Sequence, residues 1–138
     1  MNNVTADVVE IASSSGDVKL SDGKIDNFQI GTSSGYVTWK NTESEHISIT
    51  AKSGEVNVSG LGEQTNAEVS TGSGDIGISY GTQPQNLSFK ISSGSDDVSV
   101  RLGDASYTME TSACKQGKIG DGTYSLTVNS DSGTVVIH

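Results

Sequence analysis

The chain has 138 residues, the length of a single domain, and its 32% hydrophobic content predicts a thin core. Its 17 acidic and 8 basic residues give a net charge of −9, which repels phosphate backbones and anionic lipids, so we expect no nucleic-acid partner. No apolar run reaches the roughly 18 residues of a membrane span, and the start lacks a basic, then apolar signal segment. We expect one domain over residues 1–138 of a longer chain, with no membrane insertion by this segment.

From the first unit onward, the sequence repeats a small residue, a Ser-Gly pair and an apolar strand. Close copies are "SSSGDVKL" at 13, "TSSGYVTW" at 32, "AKSGEVNV" at 51, "TGSGDIGI" at 71 and "SDSGTVVI" at 130. Aligned on this pattern, the chain contains seven units of about 19 residues. Self-similarity at a short fixed period predicts a repeat architecture in which each unit packs on its neighbours.

Within a unit the apolar residues recur with a period of two, which predicts strands. In "ISITAKSGEVNVSG", alternate residues from Ile47 to Ser53 share one face, and Val56 and Val58 continue the apolar face after Gly54. Because Ser53 and Val56 lie an odd number of residues apart, a straight strand would turn Val56 outward. The chain must therefore bend at Ser-Gly, where glycine suits a corner with positive φ. We expect the corner serines to stack as a hydroxyl ladder.

The fifth and sixth units are less regular, and the sequence ends within the seventh. In the fifth, Asp96 stands where other corners have glycine, and Asp tolerates positive φ better than most residues. In the sixth, "TSACKQGKIGDG", Ala113 and Cys114 replace Ser-Gly, so we expect a bulge or loop and leave the register of residues 111–122 open. The seventh ends at "GTVVIH" without a polar cap. We expect this terminal coil to self-associate with another copy, or to be covered by flanking sequence.

These patterns predict an all-β fold, a right-handed parallel β-helix or β-solenoid of about seven coils, each of roughly 19–20 residues. Each coil consists of a strand, a Ser-Gly corner, a second strand and a variable return. Like residues stack on like, so that the coils follow one another along the rod in sequence order. An antiparallel β-sandwich is the alternative, because it is also built from short strands at regular spacing.

The repeated [Ser/Thr]-x-Ser-Gly-x-[Val/Ile]-x-apolar unit resembles the bacterial adhesin-type β-strand-repeat domains, which are akin to the head GIN domains of auto-transporter adhesins. The resemblance covers about residues 7–138, and the sixth unit departs from it. It implies a β-helical solenoid at the cell envelope or outside the cell, attached to other segments of a longer chain. It implies no catalytic motif.

One outward column follows the corner glycines and is rich in carboxylates. Its members in sequence order are Asp17, Tyr36, Glu55, Asp75, Asp97, Lys115 and Thr134. We expect Glu55, Asp75 and Asp97 to fall in adjacent coils about 5 Å apart, where a divalent cation with oxygen ligands could bridge them. The alternative is a solvated acidic edge that keeps the rod soluble. We expect no metal site and no cofactor, and these three residues are the candidates if a cation does bind.

The sequence offers no clear catalytic constellation. There is one arginine, Arg101, and the two histidines, His46 and His138, lie far apart along the chain. Cys114 has no histidine near it in sequence, and the abundant serines are explained by the corners. The column between the two apolar residues after the corner lacks the regular threonines of an ice-binding wall. Trp39 falls in a core column, with a surface platform for carbohydrate as the alternative.

The sequence therefore favours a non-enzymatic domain, an adhesin-like module or spacer at the cell envelope. One alternative is a sensor or scaffold that binds a protein or a cationic peptide, because an acidic rod attracts cations. Another is an enzyme that acts on a glycan. The partners that we consider are an envelope protein, a glycan or a cationic peptide.

Overall fold

A computed structural model describes residues 4–41, 43–61, 65–81, 85–95, 97–101, 106–111 and 113–138. The described residues form strands and connecting turns, with no helix among them. The strands are β1 (Thr5–Ser13), β2 (Val18–Ser21), β3 (Lys24–Ser34), β4 (Val37–Lys40), β5 (His46–Ser53), β6 (Val56–Leu61), β7 (Asn66–Ser73), β8 (Ile76–Tyr80), β9 (Leu87–Ser93), β10 (Val98–Val100), β11 (Ser106–Glu110), β12 (Cys114–Ile119), β13 (Tyr124–Ser132) and β14 (Val135–Ile137).

The strands form two sheets that share one core. The large sheet has the order β1-β3-β5-β7-β13-β9-β12-β11, and the small sheet has the order β10-β14-β8-β6-β4-β2. We call β1–β2, β3–β4, β5–β6, β7–β8 and β9–β10 coils 1 to 5, and β13–β14 the C-terminal coil. Neighbouring coils pair through parallel strands in both sheets, so the β-solenoid class is confirmed. The handedness of the winding stays a prediction.

The core consists of apolar rows that run across the coils. One row of the large sheet reads, in spatial order, Val9, Phe28, Ile47, Ala67, Leu126 and Phe89. Trp39 in the small sheet is fully buried, and its ring meets Phe28 edge to face with the centroids 4.5 Å apart. The structure therefore places Trp39 in the core, as its column predicts, and not on a surface platform.

The glycine corners are confirmed. Gly16, Gly35, Gly54, Gly74 and Gly133 have φ between 113° and 131°. From Gly35 onward, a β-carbon at each of these positions would overlap the carbonyl oxygen of the corner glycine in the preceding coil. The corner therefore needs glycine both for its backbone conformation and for close stacking of the main chains. Asp96, the corner residue of the fifth unit, lies outside the described residues.

The corner serines bond to the main chain, and this corrects the expected hydroxyl ladder. The hydroxyl of Ser34 donates to the carbonyl of Ser14 at 3.4 Å, and that of Ser53 donates to the carbonyl of Ser33 at 3.2 Å. Each bond joins a coil to the one before it. The serine hydroxyls thus supply these carbonyl groups with a hydrogen-bond donor from the next coil.

The sixth unit does not form a coil. Strand β12 pairs antiparallel with β9, and β11 pairs antiparallel with β12, so the two strands form a hairpin at the end of the large sheet, here called the cap hairpin. The register shifts between Tyr107 and Met109, which lie just before residues 111–122, where the bulge or loop is expected. This unit has no glycine corner, and Gln116 stands in place of an apolar residue. Both of its strands therefore belong to the large sheet, and it adds no strand to the small sheet. Within the described residues the rod therefore has six coils, and a hairpin replaces the seventh.

The expected serial order of the coils is wrong at the C-terminus. The C-terminal coil lies between coils 4 and 5, because β13 pairs with both β7 and β9, and β14 pairs with both β8 and β10. The edge of "GTVVIH" is therefore covered by coil 5 of the same chain. This corrects the prediction that the terminal coil self-associates or needs flanking sequence to cover it.

Candidate functional site

The acidic column exists, but in a different order from the one expected. We call the row Asp17, Tyr36, Glu55, Asp75, Thr134 and Asp97 the acidic edge, and its order follows the main-chain bonds between coils. Thr134 of the inserted C-terminal coil stands between Asp75 and Asp97. Glu55, Asp75 and Asp97 therefore do not occupy three adjacent coils, since only Glu55 and Asp75 are neighbours.

All four carboxylates of the acidic edge accept hydrogen bonds from within the protein. An oxygen of Asp75 accepts the N–H of Thr134 at 3.0 Å, and Asp17 accepts the N–H of Tyr36 at 3.2 Å. Asp97 accepts the hydroxyl of Thr134 at 3.0 Å, and Glu55 accepts the amide of Asn57 at 2.9 Å. Among the described residues, no group of three or more metal-ligating side chains could hold an ion. The geometry thus gives Asp17, Asp75 and Asp97 a role in joining coils, whereas the bond of Glu55 stays within coil 3.

A second feature, not predicted from the sequence, is a groove on the outer face of the large sheet. It has a volume of about 620 Å³ and crosses five neighbouring strands, β1, β3, β5, β7 and β13. We call it the polar groove, and its lining residues are Val8, Val9, Asn27, Phe28, Gln29, His46, Ile47, Ser48, Asn66, Ala67, Glu68, Ser125 and Thr127. At about 4.8 Å per strand, the groove is roughly 19 Å long and runs along the rod axis.

The outward side chains of the polar groove form two rows in register. One row contains Asn27, His46 and Asn66, which are direct partners in the strand ladders. The next row contains Gln29, Ser48, Glu68 and Thr127, again in direct register. The buried residues of the lining point their side chains into the core, so they contribute main chain to the floor. The walls are therefore mostly amides and hydroxyls, with Val8 exposed by 67% at one end.

Several of these polar groups have no partner within the described part of the protein. Asn27, Gln29 and His46 are exposed, and none of the hydrogen bonds among the described residues involves their side chains. Asn66 differs, because its side-chain oxygen accepts two hydrogen bonds from Ser125. The main-chain N–H of Ser125 donates at 3.0 Å and the hydroxyl of Ser125 donates at 3.3 Å. Asn66 therefore positions the groove wall, whereas Asn27, Gln29 and His46 present donors and acceptors to the outside.

A smaller trough continues the same outer face toward the corners. It has a volume of about 380 Å³ and is lined by Ala12, Ser13, Ser14, Gly31, Thr32, Ser33, Thr50 and Lys52. Small residues fill its central row, where Ala12, Gly31 and Thr50 are register partners. The polar face thus extends beyond the polar groove with short side chains.

The remaining candidate residues do not assemble into a site. Cys114 lies in β12 opposite Ser92 of β9, and it is a half-buried free thiol. Arg101 is exposed just after β10, where its N–H donates to the carbonyl of Ile137 at 2.8 Å. His138 is exposed at the end of β14, so the two histidines lie in different sheets. Only His46 belongs to the polar groove.

Sequence reasoning missed the polar groove for a physical reason. Outward polar residues on alternating strands are the normal surface of a half-buried sheet, so their identity carries no distinct signal. The groove also depends on the order of the coils, because Ser125 and Thr127 join it through the inserted C-terminal coil. The register of Asn27, His46 and Asn66 could have been found by aligning the units.

The fold and its repeated corners define a repeat-type all-β solenoid domain. A model of the Toastrack DUF4097 family matches residues 1–138, so the chain belongs to this family, a family of domains of unknown function. No curated protein and no solved structure matches the chain significantly. Family membership supports the repeat-type β part of the resemblance, while the link to adhesins and head GIN domains stays a prediction. Among the described residues, no helix is long and apolar enough to span a membrane.

Proposed function

We propose that this domain is a non-enzymatic binding module that acts at the cell envelope, as an adhesin-like rod or spacer. The observation that carries the proposal is the polar groove, in which Asn27, Gln29 and His46 present side chains that make no hydrogen bond within the described protein. Polar groups held on a rigid sheet suit recognition, because their positions are set before a ligand arrives. The envelope setting is supported by the resemblance of the corner repeats to adhesin-type domains.

The absence of catalysis is part of the proposal, and the chemistry of the groove supports it. Hydrolysis of a glycoside commonly uses two carboxyl groups on either side of the bond. The lining of the polar groove contains one, Glu68. His46 is the other ionisable residue of the lining, and no ion pair joins it to Glu68 among the described residues.

Binding to envelope material tests the proposed function. The purified domain is labelled, mixed with isolated cell-envelope fractions and sedimented, with an excess of unlabelled domain as competitor and heat-unfolded domain as control. We expect saturable binding that the folded competitor removes. Failure to sediment above the unfolded control would overturn the proposal. Incubation with polysaccharides checks the non-enzymatic part, and new reducing ends that disappear in Glu68→Gln would contradict it.

The acidic edge favours a second candidate, a scaffold that binds a cationic peptide. Its carboxylates lie in a row on a chain of net charge −9, so they attract positive charge. Within the described residues, each of the four carboxylates uses one oxygen in a hydrogen bond, so the other oxygen can accept from a ligand. A peptide held in this way should dissociate as salt is raised, because exposed charges are screened. Binding of a lysine-rich peptide that persists in Asp75→Asn and Asp97→Asn would contradict this candidate.

A further inference from the structure

We propose that the polar groove binds a neutral polysaccharide, with the sugar chain lying along the rod axis. The inference rests on the proposed binding function and specifies the ligand of the same site. It follows from three properties of the groove, which are its shape, the chemistry of its side chains and the hydrogen bonding of its main chain.

The shape of the groove fits an extended polymer. The groove crosses five neighbouring strands, and similar side chains recur at each strand spacing along it. Asn27 and His46 stand in one row and Gln29 and Ser48 in the next, so polar contacts recur about every 4.8 Å. A chain of repeated units can use each contact in turn, whereas a compact small molecule would leave most of the roughly 19 Å empty.

The side chains match the chemistry of sugar hydroxyls. An amide such as that of Asn27 or Gln29 offers both donors and acceptors, and a hydroxyl needs both at once. The acidic residue in the lining is Glu68. Its carboxylate would repel an acidic polymer, as would the net charge of −9. The exposed side chain of Val8 offers apolar contact for the C–H groups of a sugar ring. Neutral chains are therefore favoured over acidic ones.

The main chain of the groove argues against an extended peptide. Peptides that bind sheets commonly add a strand to an open edge, where unpaired N–H and C=O groups give affinity. In the polar groove, β3, β5, β7 and β13 each have paired strands on both sides. A peptide lying across them would find side-chain contacts but no main-chain ladder. Its own backbone groups would then be poorly satisfied.

Titration calorimetry on the full chain with defined polymers tests the inference. The probes are a neutral glucan and a neutral mannan, polygalacturonate as an acidic chain, and a lysine-rich peptide. The test variant is Asn27→Ala/Gln29→Ala, which removes two side chains that make no bond within the described protein. The matched control is Asn57→Ala, an exposed asparagine on the outer face of the small sheet.

We expect at least one neutral polysaccharide to bind, with an affinity that 0.5 M salt leaves unchanged. The double variant should bind about tenfold more weakly, as the loss of two hydrogen bonds predicts, and Asn57→Ala should bind normally. Stronger binding of polygalacturonate would overturn the inference, as would peptide binding that the double variant weakens or neutral binding that the double variant retains. If the domain sediments with envelope material but binds neither neutral polymer, the ligand class is wrong and the proposed binding function stands.

Discussion

Coils 1 to 4 and the C-terminal coil are built differently from the end formed by coil 5 and the cap hairpin. In the first region, five glycine corners stack directly on one another, and both sheets are continuous. In the second, the fifth unit lacks glycine at the corner position and the sixth lacks the corner altogether. The large sheet there runs two strands beyond the small one.

This difference explains why the C-terminal coil lies between coils 4 and 5 and not after coil 5. Gly133 stacks on Gly74 in the same way that Gly74 stacks on Gly54. The carbonyl of Gly133 is then met by hydroxyls of coil 5, from Ser93 at 2.8 Å and from Ser95 at 2.6 Å. Units with the glycine corner are therefore contiguous in space, and the irregular units collect at one end. An irregular corner disturbs the stacking least where few coils follow it.

Two glycine substitutions should show the largest difference in unfolding free energy between a stacked corner and an open one. In Gly74→Ala the new β-carbon would overlap the carbonyl oxygen of Gly54, whereas in Gly16→Ala it would meet nothing within 4 Å. Both positions have positive φ, so both variants carry backbone strain of about 1–2 kcal/mol. Overpacking should add about 1–3 kcal/mol in Gly74→Ala alone. Urea unfolding measures both, and equal losses in the two variants would mean that close stacking is unimportant.

Truncation of one aromatic residue in each region compares their packing. Trp39 is fully buried, whereas Tyr107 of the cap hairpin is 37% exposed and touches Phe89 edge to face at 5.6 Å. Trp39→Ala should cost about 3–5 kcal/mol of unfolding free energy, and Tyr107→Ala should cost clearly less. Native tryptophan fluorescence should be blue-shifted and move red on unfolding. A tolerated Trp39→Ala variant with emission like free tryptophan would contradict the core assignment.

Removal of the Tyr80 hydroxyl in coil 4 should change the free energy of unfolding less than the substitutions above, and the change should depend on pH. Its hydroxyl is buried without a hydrogen-bond partner among the described residues, and burial raises its pKa above the usual 10.0. The unfolded chain loses this proton above about pH 10 while the folded chain keeps it, so stability falls as pH rises past that point. Tyr80→Phe should be as stable as wild type at pH 7, or more stable by about 1 kcal/mol.

Thermal unfolding of both proteins from pH 7 to 11 checks this prediction. The melting temperature of Tyr80→Phe should fall less steeply above pH 10 than that of wild type. A large loss of stability at pH 7 would show that the hydroxyl has a partner. Tyr36, which is 54% exposed on the acidic edge, supplies a matched control as Tyr36→Phe.

Calcium should have the smallest effect, because among the described residues no group of three or more metal-ligating side chains could hold the ion. Glu55 and Asp75 are neighbours, but Thr134 separates Asp75 from Asp97. Millimolar calcium should shift the melting temperature no more than sodium at equal ionic strength, since both ions only screen like charges. A calcium-specific rise that Asp75→Asn abolishes would show a bound cation.

The sequence predicts the coil but not the order of the coils. The period of two and the Ser-Gly corner are local, so the walls, the buried Trp39 and the positive φ of Gly54 follow from single units. The place of the C-terminal coil depends on which distant corners fit together, although the absence of corner glycine in units five and six carries that information. The polar groove was not predictable in full, because Ser125 reaches Asn66 through this long-range order.

Disulfide trapping tests most directly whether the C-terminal coil lies between coils 4 and 5. Asn129 is the direct partner of both Ser70 and Ser92, which lie on either side of it. Cys114 is replaced by serine in all variants, because it also faces Ser92. If the C-terminal coil lies between coils 4 and 5, a disulfide should form rapidly in Ser92→Cys/Asn129→Cys, because these two residues are direct partners. None should form in Ser70→Cys/Ser92→Cys, whose strands lie roughly 9.6 Å apart, beyond disulfide reach. Cross-linking of the second pair and not the first, read by mass spectrometry of the unreduced protein, would contradict the account.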